Sequence, residues 1–122
     1  MIERRVYPRI ETDWPLFVIT DDGQKQVGHV NNISMSGALL IFSKIYDLDP
    51  EKHTFTLNLK NPHLDPSKIA IKGLKKWTRV KKNEVILSLS LEKVNREKRT
   101  RFAQLLSRSD KLHVEAMLLI NE

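Results

Sequence analysis

Apolar and polar residues alternate in short runs between Trp14 and Leu91, and turn-forming residues separate the runs at intervals suited to a small barrel or sandwich. Leu16 to Thr20 is an apolar, β-branched run, and the Asp21-Asp22-Gly23 after it marks a turn into a second strand near Gln26 to Asn32. This pair predicts a hairpin. Ala38 to Phe42 is a continuous apolar stretch entered through Gly37, while Phe55, Leu57 and Leu59 alternate with Thr54, Thr56 and Asn58 as in a strand with one buried face. Asn61-Pro62 and Asp65-Pro66 interrupt the chain before Ile69 and Ile71 begin a fifth strand, which runs to about Val80 and turns at Lys82-Asn83. Val85, Leu87, Leu89 and Leu91 alternate with Ile86, Ser88 and Ser90, which marks the sixth strand and the clearest inward face.

The period changes after Leu91. Val94, Phe102, Leu105 and Leu106 fall on helical spacing with Asn95 placed to cap, so a helix over about 95–107 is expected to close the barrel. Asp110 and the stripe Leu112, Ala116, Leu119 and Ile120 suggest a second helix over 110–121, packed back on the barrel or used as a homodimer contact. The expected fold is mainly β: a six-stranded antiparallel β-barrel with one or two C-terminal α-helices. The organisation follows as a flexible N-terminal arm over 1–13, a barrel over 14–92 and a helical segment over 93–122. Trp14, just before Pro15, is expected to anchor the arm to the barrel.

With 122 residues, 40% hydrophobic and 30% charged, the chain suits one compact domain. No apolar run approaches the roughly 18 to 20 residues of a spanning helix, and Glu3, Arg4 and Arg5 open a polar N-terminus unlike a signal peptide. The expectation is a cytoplasmic protein with no direct membrane insertion. The absence of cysteine removes disulfide scaffolds, thiol catalysis and cysteine-ligated zinc.

Catalytic and metal chemistry find little footing. His29, His53, His63 and His113 show no metal-ligand spacing, and the acid pairs Asp21–Asp22 and Asp47–Asp49 lie in turn-rich segments where Asp solvates loops. There is no Gly-x-Ser-x-Gly elbow and no Gly-rich phosphate loop. The chain reads as a binding protein rather than an enzyme, with no metal and no resident cofactor. Its formal charge of +6 favours an anionic partner, and the cations are concentrated at Arg4, Arg5 and Arg9 and again over 68–82, which holds Lys68, Lys72, Lys75, Lys76, Arg79, Lys81 and Lys82 without an acid.

Two short motifs give that charge a use. Arg5 and Arg9 form Arg-x-x-x-Arg, and Asn32, Ser34 and Gly37 form Asn-x-Ser-x-x-Gly between one expected strand and the next. Taken singly, the first is a basic arm and the second suits any tight reversal. Together, in this order and around an expected hairpin, they resemble the signature of the PilZ domain family. The resemblance runs from Glu3 through the sixth strand and implies a six-stranded barrel that binds the bacterial second messenger cyclic di-GMP. One departure is the last strand, where many family members carry glycine and this chain has Val85-Ile86-Leu87-Ser88-Leu89.

The implied ligand chemistry agrees with the residue types. A guanine presents O6 and N7 acceptors that an arginine fork engages with two parallel hydrogen bonds, and a guanidinium also pairs with phosphate and stacks on purines. On this reading Arg4, Arg5 and Arg9 reach the ligand from the arm, Asn32 meets a guanine edge, Ser34 donates to a phosphate or base, and Gly37 leaves room. Trp77 and Arg79 are additional candidates, with core packing the alternative for Trp77. The implied role is a regulator of motility, biofilm or exopolysaccharide production that signals to an effector protein or a linked output domain, with no nucleic acid required. Two alternatives remain: a small-barrel nucleic-acid binder using 68–82, and a ligand-free interaction module.

Overall fold

A computed structural model of the chain describes residues 9–46, 54–61, 65–108 and 113–120. Among the described residues seven strands and one helix follow in the order β1 Ile10–Thr20, β2 Gly23–Ile33, β3 Gly37–Ser43, β4 Thr54–Asn61, β5 Asp65–Lys81, β6 Glu84–Leu91, α1 Arg96–Ser107 and β7 Glu115–Ile120. The strands form a closed barrel in the order β1-β2-β3-β6-β5-β4-β7. All neighbours are antiparallel except β7 and β1, which run parallel.

Inward residues follow the alternation read from the sequence. Leu16 and Val18 of β1, Ala38, Leu40 and Phe42 of β3, Phe55, Leu57 and Leu59 of β4, and Leu87, Leu89 and Leu91 of β6 are all buried in one core. Irregularities between Glu11 and Trp14, Val30 and Asn32, and Lys75 and Trp77 shift the register locally, as β-bulges do in closing a barrel. At the first of them Asp13 adopts φ 52°, a left-handed conformation that Asp tolerates better than most residues. Strand β1 starts at Ile10, so Ile10 to Asp13 belong to the barrel, and the preceding residues 1–8 lie outside those described. Trp14 is buried in the core at the start of the inward face.

The helix α1 begins where its cap was expected. Asn95 Oδ1 accepts a hydrogen bond from the Lys98 backbone N–H at 2.8 Å, and Phe102, Leu105 and Leu106 join the core. Lys98 Nζ donates to the Ala70 carbonyl at 2.9 Å, tying the helix to β5.

The expectation of a second helix over 110–121 is overturned: Glu115–Ile120 is a strand, with 109–112 and 121–122 outside the described residues. The run Ala116-Met117-Leu118-Leu119 is rich in good helix formers and apolar at both odd and even positions, so its pattern fits either structure. Barrel closure decides the matter. Six strands alone would leave β1 and β4 with unpaired edges, and β7 fills the gap, pairing with β4 from Phe55↔Ile120 to Lys60↔Glu115 and with β1 at Leu16↔Ala116. Ala116 and Leu118 point inward and are fully buried. Leu118→Ala is therefore expected to cost about 2–5 kcal/mol in urea-induced unfolding. A peripheral helix would lose far less.

Candidate functional site

Strand directions bring the start of β1, the β2–β3 turn and the end of β6 to one end of the barrel. Three of the residues singled out in the sequence meet there. Arg9 immediately precedes β1, and its Nη1 lies 3.5 Å from Asn32 Oδ1 near the end of β2. This is the long limit of a hydrogen bond, so it orients the guanidinium while leaving its other N–H donors for a ligand. Both side chains are only partly buried.

Gly37 lies beside them at the start of β3. A Cβ built there would sit 3.2 Å from the Leu89 carbonyl oxygen and 3.9 Å from Arg9 Nη2. The glycine thus serves close approach: β6 on one side and the Arg9 fork on the other occupy the space that a side chain would need.

Ser34 shapes the turn. Its hydroxyl is buried and accepts from the Ser36 backbone N–H at 3.2 Å, with the Ser36 hydroxyl 3.4 Å away, and its own N–H donates to the Gly37 carbonyl at 2.8 Å. Leu91 N–H donates to the Ser36 carbonyl at 2.9 Å, which pins the turn to β6. These bonds let Asn32, Ser34 and Gly37 act as a unit: the serine builds the reversal that presents Asn32 and admits Arg9.

Trp77 and Arg79 stand apart from this cluster on the same outer surface. The register carries one row across four strands, Asn32↔Leu39↔Ser88↔Trp77, so Trp77 is three inter-strand steps from Asn32, or roughly 14 Å at about 4.8 Å per step. Trp77 is 40% exposed rather than in the core, and the Arg79 guanidinium carbon is 5.4 Å from its ring centroid, a cation–π contact. Between them Ser88 is buried on the outward side, its Oγ without a hydrogen-bond partner. Arg4 and Arg5 lie outside the described residues.

Sequence reasoning passed over Gly28. A Cβ there would fall 1.9 Å from the Ile41 carbonyl oxygen and 2.6 Å from the Phe42 Cα. An isolated glycine inside a strand pattern is the available signal for such close backbone approach. Among the described residues no cluster of three or more His, Asp or Glu could hold a metal ion, and no helix is long and apolar enough to cross a membrane.

The molecule is a closed β-barrel with one C-terminal helix, close to the PilZ-like barrel implied by the resemblance. No family model matches the chain, and no curated protein matches it in sequence. Among solved structures it is similar to the Bacillus subtilis inhibitor of motility, MotI/DgrA, with a TM-score of 0.63 at 15% sequence identity, over 89% of this chain. The match covers 52% of that protein, so the chain spans about half its length. Similarity at this identity establishes the fold.

Proposed function

We propose that the protein is a regulatory receptor for cyclic di-GMP, without catalytic activity of its own, that passes the signal to a protein partner. The carrying observation is the placement of Arg9: its guanidinium stands beside Asn32 and over Gly37, with donors to spare, at the end of a barrel whose fold resembles a motility inhibitor. Arg5 lies one Arg-x-x-x-Arg spacing upstream and Arg4 adds a third fork. Two phosphates and two guanines give such forks both charge and paired acceptors.

The guanidiniums of Arg4, Arg5 and Arg9 engage the ligand, each charge-assisted contact contributing about 1.5–3 kcal/mol. The signal is then a surface: the barrel face covered by the ligand differs from the free protein, and a partner with unequal affinity for the two states reads the difference. Control of motility is the process favoured by the structural neighbour.

Nucleobase selectivity tests the proposal. Adenine replaces the O6 acceptor of guanine with an N6 donor, and each good bidentate pair is worth about 1–3 kcal/mol of discrimination. In a tryptophan-fluorescence titration cyclic di-GMP is expected to bind about tenfold or more tighter than cyclic di-AMP, with the preference reduced in Asn32→Ala. Equal affinities would mean that the basic arm reads phosphate alone and would overturn the assignment of Arg9 and Asn32 to a guanine.

A further inference from the structure

The turn between β2 and β3 carries two hydroxyls in different surroundings. Ser34 is 2% exposed, whereas Ser36 is exposed to solvent. Ser34 Oγ accepts from the Ser36 backbone N–H at 3.2 Å, and the two hydroxyl oxygens lie 3.4 Å apart. Each hydroxyl also has one proton to donate. Among the described residues Ser36 Oγ is the acceptor within reach of the Ser34 O–H. A buried donor left unused costs stability, while an exposed one is met by water. That difference sets the order of donation: Ser34 donates to Ser36, and Ser36 turns its own proton outward. Donation into Ser36 Oγ polarises the outer hydroxyl and strengthens it as a donor.

We infer that Ser36, and not Ser34, presents the hydroxyl of this turn to the ligand, as a donor to a phosphate oxygen. The inference rests on the proposed function and names the atom by which that site meets the phosphate of its ligand. Ser36 is the chain neighbour of Gly37, about 3.8 Å away between Cα atoms, and a Cβ on Gly37 would stand 3.9 Å from Arg9 Nη2. The turn is pinned to β6 through the Ser36 carbonyl, which accepts from Leu91 N–H at 2.9 Å, so the donor is in place before a ligand arrives. Arg9 and Asn32 take the guanine edge, which asks for paired groups, whereas a single outward O–H suits an anionic oxygen.

The test is calorimetric titration of the full chain with cyclic di-GMP and with its separated phosphorothioate diastereomers, in which sulfur, a weak acceptor, replaces one non-bridging phosphate oxygen. Wild type, Ser36→Ala, Ser36→Thr and Ser34→Ala are compared. Ser36→Ala is expected to bind cyclic di-GMP about tenfold more weakly and to lose the preference for oxygen over sulfur at one diastereomer. Ser36→Thr keeps the hydroxyl and should keep both affinity and preference; Ser34→Ala should keep the preference, because the outer O–H remains. A merely structural role for Ser36 would lower affinity for every ligand alike and leave the preference intact, which would overturn the inference. So would loss of the preference in Ser34→Ala with Ser36→Ala behaving as wild type, and in both cases the receptor reading would stand. No binding of cyclic di-GMP by the wild-type chain would overturn that reading and the inference with it.

Discussion

Replacing Gly28 by alanine is expected to cost about 3 kcal/mol of stability, visible as a large drop in the urea midpoint with little change in slope. The added methyl would lie 1.9 Å from the Ile41 carbonyl oxygen, and the obstructing atoms are backbone on a neighbouring strand. Gly28 is paired on both sides, with Leu16 of β1 and Phe42 of β3, so in a closed barrel β2 cannot step aside without breaking a ladder. Against a typical stability of about 5–15 kcal/mol, such a loss removes a large share of the total. Gly73→Ala provides the contrast: its tightest contact is 3.2 Å to Leu89 Cδ1, a side-chain atom that can move, so that variant should be close to neutral. Equal midpoints for the two variants would refute this account of β2 packing.

The second large effect falls on the ligand. Arg9→Ala is expected to weaken cyclic di-GMP binding by about 1.5–3 kcal/mol, roughly tenfold to more than a hundredfold. Thermal stability should barely change, because the Asn32 contact it loses is long and partly exposed. Arg9→Lys should recover little of the loss, since an ammonium keeps the charge but not the two-pronged donor geometry that a guanine edge requires. Full recovery with lysine would show that the residue supplies charge alone.

Much of this molecule was legible in its sequence because its strands obey simple rules. The alternation of Leu87, Leu89 and Leu91, the Asp21-Asp22 turn and the Asn95 cap each rest on local chemistry, and each appears where that chemistry places it. The seventh strand was not legible. Its apolar residues occupy both parities, and the edges it fills belong to β1 and β4, far away in sequence, so only closure of the barrel selects strand over helix.

What was legible of the candidate site is the nearness of some of its residues, not their division of labour. Arg9, Asn32 and Gly37 converge as their motifs suggest, whereas the Ser34 hydroxyl bonds within its own turn, the reading that the turn-forming character of its motif also offered. Trp77 lies outside the core, on the surface beside Arg79 and three strands from Asn32, because the bulge at Lys75 sets which face it takes.

The most direct test of the central claim is a calorimetric titration of the full chain with cyclic di-GMP at moderate salt. The account predicts saturable binding at micromolar concentration or tighter, with heat lost when Arg5 and Arg9 are both replaced by alanine. No heat and no thermal shift with excess ligand would contradict it.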